Sequence, residues 1–96
     1  MSETRKAYEE KYDAQLTVWN AEIALLNAKA DRAKAETKIE YYKTIDMLQS
    51  KHDAAKAKLQ ELKAAGDGAW RDLKTGAENV WTDVKTAFAS AHSRFE

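Results

Sequence analysis

The first glycine of this chain is Gly66, and there is no proline anywhere. That absence constrains the fold more than any other feature. From Glu3 to Ala65 no residue obliges a helix to stop, and the polar positions are filled by strong helix formers such as Lys, Glu and Gln. The stretch "NAKADRAKAETK", residues 27–38, reads like an idealised helical spacer. Acid-before-base pairs three apart (Glu3/Lys6, Asp31/Lys34, Glu40/Lys43, Asp53/Lys56) add about 0.2–0.5 kcal/mol each. Ser2 is the expected N-cap. The sequence therefore predicts one helix over residues 3–65, roughly 93 Å long at 1.5 Å per residue.

Apolar spacing says what such a helix packs against. Leu16, Trp19, Ile23, Leu26, Ala30 and Ala33 step alternately by three and four. Tyr41, Ile45, Leu48, His52, Ala55, Leu59 and Leu62 do the same. Both are heptad seams of the coiled-coil kind. Between them Ala33, Thr37, Tyr41 and Ile45 step by four throughout, a stutter that locally unwinds a supercoil. The alternative is a break near residues 27–32, where Asn27 and Asp31 permit three helices of about 30 residues in a three-helix bundle.

"AAGDGAW", residues 64–70, is the one joint the sequence announces. Gly66 suits the left-handed residue that closes a helix. Asp67 suits the N-cap of the next, and Gly68 completes a turn of two or three residues. A connection that short makes the flanking helices antiparallel. The second helix, residues 68–95, carries an internal repeat. "AWRDLKTGAEN" (69–79) aligns with "VWTDVKTAFAS" (80–90) at Trp, Asp, an aliphatic residue, Lys and Thr. Eleven residues make almost three turns, so Trp70, Leu73, Ala77, Trp81, Val84 and Phe88 fall on one face. Across the joint, residues whose numbers sum to about 133 should meet, among them Trp81 with His52 and Tyr41 with Ala91.

The expected architecture is all-α, a single domain over 1–96: a long helix and a shorter antiparallel one forming a coiled-coil hairpin. Residues 1–37 then overhang, and Tyr12, Leu16, Trp19, Ile23 and Leu26 form an apolar stripe on that overhang, alongside Tyr8. A stripe of that length calls for a partner: a second copy, favoured as a dimer, or another helical protein.

Composition excludes several function classes. Sixteen basic residues balance sixteen acidic ones, so nothing attracts nucleic acid as a polyanion. The adjacent Tyr41 and Tyr42 do not alter that. There is no cysteine, hence no disulfide and no thiolate metal site. His52 sits on a seam as a packing residue, and His92 is far from it in sequence. No Glu-x-x-His, His-Glu-x-x-His, phosphate loop or nucleophile elbow occurs. Glu9 and Glu10 read as solvated. No catalytic residue, cofactor or metal is expected, so the chain reads as non-enzymatic. No apolar run suggests a leader or a membrane span, and the cytoplasm is the expected compartment.

Two resemblances follow from these motifs. The eleven-residue repeat of helix two resembles the amphipathic repeats of apolipoproteins and late-embryogenesis-abundant proteins, with Lys74 and Lys85 flanking the apolar face. That implies an alternative role, a stress-type protein protecting membrane surfaces or proteins. The whole chain, through "WNAEI", "LQELKAAGDGAWRDLKTG" and the "SRF" ending, resembles small bacterial coiled-coil proteins of uncharacterised function. That likeness implies a helical architecture and a bacterial source, and no site residues.

Overall fold

Lys34 divides what the sequence presents as one helix. The computed structural model describes residues 3–95, so Ser2, the expected cap, lies outside the described residues. Three helices follow in order: α1 Glu3–Arg32, α2 Ala35–Ala64 and α3 Asp67–Phe95. The described residues contain no strand. The continuous helix expected over 3–65 is thus two helices. The break is at 33–34, just beyond the 27–32 window of the alternative reading. Lys34 is extended (φ −65°, ψ 156°), and its carbonyl accepts from Lys38 N at 2.7 Å to start α2. Ala33 N tightens the end of α1 by donating to Ala30 O at 3.1 Å.

No glycine or proline forces this break, so burial must. Trp19, Ile23 and Leu26 become 3%, 4% and 8% exposed once α1 folds back. Each such burial gains roughly 1.5–3 kcal/mol. Interrupting a helix forfeits a few backbone hydrogen bonds, each worth about 1 kcal/mol net because water replaces the lost partner. Burial wins. The stripe expected to meet a second molecule, Tyr12 to Leu26, is covered by the chain's own α2 and α3.

Side-chain pairs fix the directions. Lys63 Nζ reaches Asp13 Oδ2 at 2.7 Å, and Tyr42 Oη donates to Asp31 Oδ1 at 3.3 Å, so α1 and α2 are antiparallel. Lys51 Nζ meets Asp83 Oδ2 at 2.6 Å, and Tyr41 stacks on Phe95 at 4.1 Å, so α2 and α3 are antiparallel as well. The ion pair lies within a residue of the expected register. Tyr41, expected at Ala91, is instead one turn further along. The particle measures 51 × 19 × 18 Å. Leu48, Leu62 and Val84 are fully buried on its axis.

The joint at 65–66 works differently from the expectation. No glycine has positive φ. Ala65 ends α2 in an extended conformation, and Trp70 N donates to Gly66 O at 2.8 Å. Asp67 is the first residue of α3 rather than its cap. Gly76 lies inside α3, and a Cβ added there would meet nothing within 4 Å. Gly76→Ala should therefore stabilise the fold by up to about 1 kcal/mol through helix propensity. Thermal melting followed by circular dichroism should show a rise of roughly 4–8 °C. A fall would mean that glycine is required there.

Candidate functional site

The most elaborate polar cluster centres on a residue the sequence reading passed over. Arg5 is 4% exposed. It donates from Nη2 to Leu62 O at 2.9 Å, Lys63 O at 3.4 Å and Ala65 O at 2.6 Å. Leu62 and Lys63 are in the last turn of α2 and Ala65 follows its end, where carbonyls run short of helical N–H partners. Leu62 O also accepts from Ala65 N at 3.2 Å. Nη1 reaches Asp67 Oδ1 at 3.0 Å and Nε reaches Glu9 Oε2 at 2.9 Å. Trp70 Nε1 donates to the same Glu9 oxygen at 3.1 Å, and its ring lies 5.6 Å from the guanidinium carbon. One planar fork thus caps α2, holds the first residue of α3 and belongs to α1. The hydrogen bond that Arg5 donates to Glu9 foremost, against the opposing cost of burial and with help from Asp67, raises the Arg5 pKa above its ordinary value. Glu9, expected to be solvated, is a half-buried acceptor because Arg5 and Trp70 both need it. The signal was present in the sequence: positions 5, 12, 19 and 26 are seven apart, so Arg5 continues the α1 seam.

Next to this clamp runs a ladder of rings. Tyr8 meets Trp70 edge-on at 5.9 Å. Trp81 packs on Tyr12 at 4.2 Å and on Trp19 at 5.1 Å, and Trp19 stacks on Phe88 at 5.4 Å. Each pair adds about 0.5–1.5 kcal/mol beyond the area it buries. Lys74 Nζ lies 4.4 Å from the centre of the Tyr8 ring. Burial, with smaller contributions from the charge of Glu78 and from Tyr8, raises the Tyr12 pKa above 10.0.

Trp81, expected opposite His52, therefore faces α1. His52 turns to the other flank of α1 and donates from Nε2 to Leu16 O at 3.2 Å, using that carbonyl's second lone pair. Its Nδ1 is buried with no hydrogen-bond partner, and Asp53 Oδ1 stands 3.5 Å away. A groove of about 480 Å³ opens beside it, lined by Asp13, Thr17, Asn20, Lys56, Gln60 and Lys63 among others. Asp13 and Lys63 are paired with each other there. Among the described residues no three His, Asp or Glu side chains converge as metal ligands.

The remaining sequence-predicted positions are placed as follows. Ile45, Leu48, Ala55, Leu59 and Leu62 are buried in α2, and Trp70, Ala77, Trp81, Val84 and Phe88 in α3. Tyr41 and Leu73 are half-buried against them. Gly66, Asp67 and Gly68 are exposed at the joint. Ala30 and Ala91, both on the expected seams, are buried too, and Thr44 is buried without any sequence signal for it. No family model, no curated protein and no solved structure matches this chain.

Two outcomes test this account. Arg5→Lys keeps the charge but loses the fork, so it should lower the melting temperature and speed amide hydrogen exchange at residues 66–70. Unchanged exchange there would mean Arg5 does not hold the joint. Because Tyr12 is held neutral, its contribution to stability is constant below pH 10 and is lost as pH rises beyond it. Tyr12→Phe should thus move the alkaline unfolding midpoint, read by circular dichroism, to higher pH.

Proposed function

We propose that the chain is a non-enzymatic structural or interaction protein whose working form is a closed three-helix bundle rather than an extended coiled-coil hairpin. The observation that carries this reading is the ring ladder between α1 and α3. Trp19 and Trp81 lie 5.1 Å apart, which a hairpin of α2 and α3 with α1 projecting away would not allow. The polar side chains with the most partners, Arg5 and Glu9, serve to hold helices together. What the rod offers to others is its surface, where Val18, Leu25, Ile39, Tyr42 and Met47 are at least 41% exposed. A second copy or another helical protein is the kind of partner such a surface suits. Net charge of zero makes nucleic acid an unsuitable one.

The rival reading is a membrane-surface or protein-protecting amphipathic protein. It requires the apolar face of α3 to meet lipid. That face is turned inward, with Trp70, Trp81, Val84 and Phe88 all buried, so reaching lipid means opening the bundle. No helix among the described residues is long and apolar enough to cross a membrane. Circular dichroism and tryptophan emission, with and without phosphatidylglycerol vesicles, separate the two. Unchanged helicity and emission are expected. A blue-shifted emission on adding vesicles would favour the lipid reading instead.

A further inference from the structure

The outward face of α1 repeats every seven residues. Ala7, Ala14, Ala21 and Ala28 recur at one heptad position, and Val18 and Leu25 at the other. All six are exposed, Val18 by 50% and Leu25 by 55%. They lie opposite the Trp19 and Ile23 side that α1 buries. The fold of a single chain needs nothing apolar there, since the outer face of a helix is ordinarily charged. Yet no charge interrupts this second seam between Lys11 and Arg32. Next to Leu25 an apolar notch of about 60 Å³ extends the patch toward Phe88 and Phe95.

We propose that this face docks a second copy of the chain, α1 against α1, antiparallel about a two-fold axis near residue 23. The proposal rests on the interaction reading above and gives it a partner and an orientation. Two features select the occupant. In this register Leu25 lies on Ala21 of the second copy and Val18 on its Ala28, so each large side chain meets a small one. Alanine at every facing position lets the helices approach closely, about 8 Å between axes. The second feature is charge. Glu22 and Lys29 flank Leu25 on the rim of the notch, and neither has an ion-pair partner among the described residues. In this register Glu22 faces Ala24 of the other copy, and Lys29 of that copy lies five residues along the same flank, within reach of the two long side chains, twice per dimer, while the two Glu22 carboxylates sit two residues apart across the axis. A parallel pairing would set Lys11 on Lys11 and Arg32 on Arg32 along the seam, which repels.

Sedimentation equilibrium of the full chain across the micromolar range tests this. Wild type should dimerise and Leu25→Glu should be monomeric, its position being exposed enough that helicity is retained as the folding check. Glu22→Lys should raise the dissociation constant roughly tenfold (about 1.4 kcal/mol). Glu22→Lys combined with Lys29→Glu should restore it. A monomeric wild type overturns the pairing while leaving the interaction reading open to other helical partners. A dimer that survives Leu25→Glu keeps self-association but overturns this face. A charge swap that fails to restore affinity overturns the antiparallel register.

Discussion

The position of Trp81 decides the rest of this structure. Its ring is held between Tyr12 and Trp19 of α1, and Trp19 continues the stack onto Phe88. The backbones of α1 and α3 stand further apart than either does from α2, and rings fill the difference. Ala30, Ala55 and Ala77, each no more than 1% exposed, add small side chains to the same core. The ring ladder thus sets the wider spacing of α1 and α3. If α1 did not fold back, Trp81 and Phe88 would each keep one face in water.

Side-chain contacts also close the two ends of the rod. At one end Arg5 donates to the Leu62 and Ala65 carbonyls where α2 stops and ties them to Asp67. At the other, Tyr41 stacks on Phe95 and Tyr42 reaches Asp31 across the break. Buried arginine is costly unless every donor is used and the charge is balanced. Here one guanidinium meets two carboxylates and three carbonyls, which accounts for its tolerance at 4% exposure. The same residue explains how a joint with no left-handed glycine still turns sharply, since the turn is stabilised from outside by α1.

Much of this was legible from spacing. Ile45 to Leu62 and Trp70 to Phe88 follow from heptad and eleven-residue periodicity, because a helix repeats its faces whatever it packs against. The joint after Ala65 was legible because glycine and aspartate cluster there. Trp19, Ile23 and Leu26 were recognisable as residues needing cover, but not the identity of the cover. His52 was recognisable as seam and not as a donor to Leu16 O. Arg5 was missed because an arginine on a seam is discounted as a surface residue unless its acceptors are known, and these lie about sixty residues away.

The sequence by itself determined that the chain is helical, where its apolar stripes run and that it turns after Ala65. These are local properties, set by propensity and by the 3.6-residue period. Only the tertiary structure decided that the helix opens at 33–34 and that α1 lies against α3. "ADRAKAET" is compatible with unbroken helix, so no local preference favours the break. It exists because the free energy of burying Trp19, Ile23 and Leu26 exceeds the few hydrogen bonds that bending there gives up, a balance struck between residues far apart in the chain.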